Sequence, residues 1–213
     1  ARAQPHWVPD AAAASCARCG ARFGLVLIRR HHCRLCGAVV CGDCSTGRAS
    51  LLGWGIEDEV RCCGQCHVFE RQQLPMLLAG ELWRKPAAWT GVRRRRFLWL
   101  EADQSQLAWC AWDDETCIAE REQPRRLELR HLAEVRVAKG RHLELLTGSG
   151  ETLTFESSTE RVAAAWSAAL SRLQQIIADR RAAARTYGGG AHGVSPRTVA
   201  ISSPRLHEAL QRR

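Results

Sequence analysis

The sequence predicts an α+β chain in two parts: a small cysteine-stapled finger, then a seven-stranded antiparallel β-barrel or sandwich closed by a C-terminal helix. Three observations predict it. Nine of the eleven cysteines lie within the first 66 residues, whereas six of the eight tryptophans lie after residue 80, so the two parts follow different rules of stabilisation. Short β-rich segments alternate with turn residues between Glu81 and Phe155. From Ser157 onward apolar residues recur at helical spacing. The length of 213 residues leaves room for two small domains. The expected division is a finger over residues 1–70, a connector over 71–80, a second domain over 81–183 and a disordered Gly/Ser/Pro-rich tail over 184–213.

Charge narrows the function classes. The formal net charge of +9 divides into about +3 over residues 1–79, +2 over 80–183 and +4 beyond, so no block is uniformly basic. Nucleic acid is therefore not an expected partner, and local clusters matter more than the total. No apolar run approaches the ~18–20 residues that cross a bilayer, and no basic segment followed by an apolar core opens the chain, so a soluble, cytoplasmic protein is expected.

The first part is built on four pairs: Cys16/Cys19, Cys33/Cys36, Cys41/Cys44 and Cys63/Cys66, each with two residues between its members. That spacing lets two thiolates from one tight turn meet a single tetrahedral Zn²⁺. Disulfides rarely use it outside redox motifs. Eight ligands make two closed sites, which predicts two Zn²⁺ as cofactors. Fewer than ~70 largely polar residues cannot bury enough apolar surface to fold unaided. Metal supplies the difference, on the order of 10–16 kcal/mol per site in zinc-finger peptides. With four protein ligands each, these sites keep no open position for a catalytic water, so no enzyme is expected of them. Cys62 competes with Cys63 for the fourth pair; Cys63 keeps the shared spacing, and Cys62 is assigned to packing as a small hydrophobe. Cys110 and Cys117 are read as buried thiols.

Against the second pair lies a dense basic stretch, Arg29-Arg30-His31-His32-Cys33-Arg34-Leu35-Cys36-Gly37. Arg29, Arg30, His32 and Arg34 form a fixed array of donors once Cys33 and Cys36 are pinned, and Arg61 can join it from the segment preceding Cys63. Guanidinium forks match phosphate oxygens bidentately. An acidic residue beside such an array, Asp10, suits the hydroxyls of a phosphorylated polyol.

Three segments carry a resemblance. Trp7-Val8-Pro9-Asp10, the Arg29–Gly37 stretch and Arg61-Cys62-Cys63 resemble, in order, the WxxD, R(R/K)HHCRxCG and RVC signatures of the FYVE zinc finger. The resemblance implies phosphatidylinositol 3-phosphate as ligand, with arginines around the 3- and 1-phosphates and Asp10 and His32 on inositol hydroxyls; Asp10, Arg29, Arg30, His31, His32, Arg34 and Arg61 are the expected site residues. It also implies cross-braced zincs: one on Cys16, Cys19, Cys41 and Cys44, the other on Cys33, Cys36, Cys63 and Cys66. Finally, it turns the apolar run Leu25-Val26-Leu27-Ile28, which by itself reads as a buried strand, into an exposed loop that enters the membrane.

In the second part, strands are expected at Glu81–Lys85, Arg95–Glu101, Leu107–Trp112, Cys117–Glu120, Leu127–Val137, Leu143–Leu146 and Thr152–Phe155, with Gly148-Ser149-Gly150 as a hairpin turn. Ser157 and Glu160 offer a capping box for a helix whose apolar stripe is Val162, Trp166, Leu170, Leu173 and Ile177. Seven strands followed by one helix with a Trp in its first half resemble a pleckstrin-homology domain. The run Arg93, Arg94, Arg95 and Arg96 falls where lipid-binding members of that family carry basic residues, and is a candidate second lipid site; a solvated strand edge is the plain alternative.

The reading is a non-enzymatic adaptor, peripheral on endosomal membranes, whose finger recognises phosphatidylinositol 3-phosphate and whose second domain adds contacts to other phosphoinositides or to proteins. Two alternatives stand beside it. The chain could be the targeting end of a guanine-nucleotide exchange factor, or a RING-like ubiquitin-ligase finger, which shares the eight-ligand cross-brace but gives Asp10 and the basic stretch no role.

Overall fold

The computed structural model describes residues 7–24, 28–85, 94–113, 118–119 and 124–187. Leu25, Val26 and Leu27 of the expected apolar loop, Arg93, the thiol of Cys117 and the tail from residue 188 lie outside the described residues, and of Arg94 only the backbone is described. The described residues cluster into two compact units. One holds residues up to Gln72 together with those from Arg172 onward; the other holds Gln73–Ser171.

The first unit is organised by backbone knuckles rather than by a large core. A hairpin pairs β1 (His31–His32) with β2 (Val39–Val40), His31 facing Val40 and His32 facing Val39. Its tip is a tight turn in which Gly37 donates to the carbonyl of Cys33 and Cys33 to that of Ala38, which sets the two thiols on one side. A second hairpin pairs β3 (Gly47–Leu51) with β4 (Ile56–Cys62), and the N–H of Arg34 donates to the carbonyl of Arg61 at 2.9 Å, tying the first hairpin to β4. Val8 donates to the carbonyl of Gly37, so the segment from Trp7 runs alongside the knuckle. Leu35, Val40, Leu51 and Phe69 are fully buried, as is Cys62, the expected packing cysteine.

The expected connector is helical. α1 (Gly64–Val68) passes through a wider turn over Phe69–Gln73 into α2 (Leu74–Ala79). Pro75 sits at the second position of α2, directly after that wider turn. Gly80 ends the helix at φ +77° and donates to the carbonyl of Met76.

The second unit carries the expected antiparallel sheet: β5 (Glu81–Lys85), β6 (Arg94–Leu100), β7 (Gln106–Asp113), β8 (Ile118–Ala119), β9 (Arg125–Glu128), β10 (Leu132–Ala138), β11 (His142–Thr147) and β12 (Thr152–Glu156). Neighbours run β10-β11-β12-β5-β6-β7-β8, with β9 paired to β7, so the sheet is open rather than a closed barrel. The segment expected as one strand, Leu127–Val137, is split by a 3₁₀ turn at Leu129–His131. Leu127, Leu129 and Leu132 are all buried, and the three-residue step from Leu129 to Leu132 puts both inward only if the chain turns. The split also lets β9 pair with β7 and β10 with β11.

α3 (Glu160–Tyr187) follows. Its cap is Thr159 and not Ser157: Thr159 Oγ1 accepts from the N–H of Val162 at 3.2 Å, while Ser157 Oγ is turned back onto the carbonyls of Arg141 and Thr159. Trp166 is buried edge-on against Trp83, their ring centres 5.5 Å apart, and Phe155 lies edge-on to both Trp83 and Trp109. Further along, Ile176 is buried where the sequence pattern chose Ile177, which is half-buried.

Candidate functional site

Two clusters of four sulfurs form within the first unit: Cys16, Cys19, Cys41 and Cys44, and Cys33, Cys36, Cys63 and Cys66. Within each cluster all four Sγ atoms lie within 4.8 Å of one another. Cys19 and Cys41 Sγ are 3.8 Å apart. A tetrahedron with Zn–S bonds of about 2.3 Å has edges of roughly 3.8 Å, so the donor set fits zinc in type and in spacing. The pairing is the cross-brace that the resemblance implied: first pair with third, second with fourth.

The electrostatics of the clusters point the same way. In the second, neighbouring thiols donate to Cys63 and hold it far below the usual thiol range, while the same neighbours push Cys36 and Cys66 far above it. In the first, Cys16 falls to about 6: burial pushes it up, but backbone N–H groups of Cys19, Cys41 and Arg18 more than offset that. Cys44 is pushed up to about 12, first by Cys41 and then by Cys19. Four sulfurs this close cannot all ionise unless a cation sits among them, so two zinc ions complete the two centres.

Above the second centre the basic side chains are held by the backbone. Arg34 Nη1 donates to the carbonyl of His32 at 2.7 Å, and its guanidinium lies over the Trp7 ring. His32 stacks on the same Trp7 ring, with centroids 5.0 Å apart, and its Nε2 donates to the carbonyl of Val8 at 2.8 Å. The same nitrogen is 3.6 Å from the exposed Asp10 carboxylate. Arg61, on β4, donates from Nη1 to the carbonyl and hydroxyl of Ser45. Arg30 donates from Nε to the carbonyl of Ala13 and lies over Phe23, while Arg29 is exposed. His31 is held below the usual imidazole range by burial first, then by the positive charges of Arg61, Arg29, Arg34 and His32.

Three arginines that sequence reasoning did not assign surround the second centre. Arg18 Nη2 donates to Cys36 Sγ at 3.4 Å, and Arg172 Nη2 donates to Cys66 Sγ at 2.9 Å. Arg180 donates to the carbonyl of Leu35 at 2.9 Å and stacks over Trp54, 3.7 Å from the ring centre. Arg18 was findable, since it lies inside the first Cys-x-x-Cys turn. Nothing local in the sequence marks Arg172 and Arg180, which stand 106 and 145 positions from the residues they touch.

Comparison with known proteins finds relatives of the first part of the chain. Residues 6–71 match the FYVE zinc finger family model. Over 69 residues the chain is 46% identical to Protein FREE1 of Arabidopsis thaliana, a match covering 32% of this chain and 11% of that protein. The chain thus spans about a tenth of the length of that curated relative. The LM5-1 FYVE domain from Leishmania major is 43% identical over 32% of this chain and 80% of its own, with a TM-score of 0.30. The pleckstrin-homology domain of human oxysterol binding protein-related protein 11 is 19% identical over 54% of this chain and 91% of its own, with a TM-score of 0.36.

Proposed function

We propose that this chain is a phosphoinositide-binding adaptor whose finger recognises phosphatidylinositol 3-phosphate and carries the protein to the cytoplasmic face of endosomal membranes. The observation that carries the reading is the packing of Arg34 and His32 together on the Trp7 ring, with Asp10 alongside His32. Phosphate oxygens accept from the guanidinium forks. Asp10, with His32, accepts and donates to the ring hydroxyls. Arg30 completes the set from the start of the motif.

The apolar residues Leu25, Val26, Leu27 and Ile28 are the membrane-entering loop. Gly24 donates to the carbonyl of Ile28 at 3.2 Å, next to the exposed Arg29. Each aliphatic side chain fully taken up adds at most about 1.5–3 kcal/mol. A second, weaker contact comes from the sheet unit through Arg93, Arg94, Arg95 and Arg96. Arg95 stands directly opposite Arg84 in the β5–β6 register, which gathers positive charge at this end of the sheet. A cleft of about 290 Å³ beside them is lined by Arg84, Arg95, Arg141, Glu156 and Ser157. Both parts act as binding modules, and the working division is residues 1–70, a connector at 71–80, residues 81–183 and a tail at 184–213.

Flotation of the whole chain with liposomes carrying each phosphoinositide in turn tests the reading. Selective recovery with phosphatidylinositol 3-phosphate is expected, and Arg34→Ala abolishes it while two zinc ions per chain are retained. Neutralising Arg93 to Arg96 lowers recovery but not selectivity. Undiminished selective binding by zinc-loaded Arg34→Ala would remove the proposal.

A further inference from the structure

A tetrathiolate zinc centre carries two net negative charges, because four ionised sulfurs outnumber the metal's charge. In a buried site that surplus is costly unless positive groups or N–H donors face the sulfurs. The two centres here solve this differently. In the first, Cys19 is exposed and Cys44 half-exposed, so water screens the surplus, and the backbone N–H groups of Arg18 and Cys41 donate to Cys16 Sγ. In the second, all four cysteines are buried.

We propose that Arg172 and Arg180 of α3, with Arg18, are the counter-charge shell of the second zinc centre, so that this metal is held by side chains far outside the finger's own sequence. Arg172 touches a ligand sulfur directly, at 2.9 Å from Cys66, and Arg18 touches another, Cys36, at 3.4 Å. Arg180 reaches the same knuckle through its backbone, donating to the carbonyl of Leu35, the residue between Arg34 and Cys36. Its ring contact with Trp54 fixes the guanidinium there. Arg180 is desolvated, and burial lowers its pKa to about 10 while the charges of Cys36, Cys33 and Cys66 oppose that fall. A cation that gives up water at such a site needs electron-rich partners in return; the Leu35 carbonyl and the Trp54 ring supply them, one residue from the ligand Cys36. Arg172 Nε and Arg18 Nε are both buried with no hydrogen-bond partner among the described residues, so the side-chain bonds that these two guanidinium groups make there are the Nη2 contacts to sulfur.

The second centre therefore differs from the first in a way a metal-release experiment can read. In the full chain, Arg172→Ala/Arg180→Ala should release one of its two zinc ions to a competing chelator at least tenfold faster than the unmodified protein, with the other ion unaffected; outer residues of metal sites are typically worth about 10–100-fold in affinity. Arg172→Lys/Arg180→Lys, which keeps the charge, should recover most of the loss, and Arg181→Ala, an exposed arginine on the same helix, should behave as the unmodified chain. Proton–cadmium correlations in the cadmium-loaded protein identify which ion is affected. Release of both ions at the unmodified rate overturns the proposal. So does equal acceleration of both ions, or failure of the lysine variant to recover, since either makes these residues props of the fold rather than counter-charges. None of these outcomes depends on lipid binding.

Discussion

The Arg34 guanidinium lies 4.4 Å from the centre of the Trp7 ring, and the other aromatic contact of that indole is the imidazole of His32, stacked at 5.0 Å. Trp7 is thus the surface against which two of the proposed phosphate-facing side chains are ordered. Trp7→Ala should weaken binding to phosphatidylinositol 3-phosphate liposomes by roughly 3–30-fold, the range set by a cation–π contact of about 0.5–2 kcal/mol. Zinc content should remain two per chain, because no ligand is touched. Co-sedimentation with parallel elemental analysis checks both, and full affinity in the variant would count against an ordering role.

Glu70 predicts a pH dependence. Its side chain sits in the wide helical turn Phe69–Gln73 with Oε1 buried and without a hydrogen-bond partner among the described residues, and burial raises its pKa from 4.5 to about 7. The folded chain then holds a proton that the unfolded chain has lost between these values. Stability from this group is complete below pH ~4.5 and disappears as the pH rises through ~7. Partial exposure limits the effect to the order of 1–3 kcal/mol. Glu70→Gln should raise the urea midpoint of the zinc-loaded chain at pH 8.5 and raise it by clearly less at pH 6, where the folded chain still holds the proton. An equal gain at both pH values would mean that charge is not the cause.

Gly80 joins α2 to β5 at a left-handed φ of +77°, and a Cβ there would lie 2.5 Å from Phe97 Cζ and 3.0 Å from the carbonyl oxygen of Leu98. Both backbone strain and collision oppose any side chain. Gly80→Ala should destabilise the chain by about 1–3 kcal/mol. Its melting should show the loss in the tryptophan signal of the sheet unit while zinc binding is unchanged.

The parts of this molecule legible in the sequence are those set by short-range chemistry. Cys-x-x-Cys pairs announce knuckles because ligand spacing is local, and the signatures from Trp7 to Asp10 and from Arg29 to Gly37 end up side by side, through Val8 on Gly37 and His32 on Val8. Alternation found the strands but not the turn at Leu129–His131, since a β-rich run gives no sign of where its pairing partner changes. The cap shifted from Ser157 to Thr159 because Arg141, on another turn, claims the Ser157 hydroxyl. Ile176 and Ile177 are equally apolar, and only packing decides between them. The arginines against the second centre were hidden for the same reason: their partners are fixed by tertiary approach.

Sequence distance also becomes time. Cys66, the last ligand of the second centre, precedes Arg172 by 106 positions. At about 5–20 residues per second of synthesis, the finger's ligands are complete roughly 5–20 s before Arg172 is made. During that interval on the ribosome the first centre already has all its ligands, whereas the second has Arg18 but neither Arg172 nor Arg180. The nascent finger would therefore acquire its metals in a fixed order, the first centre locking early and the second maturing only once α3 has been made.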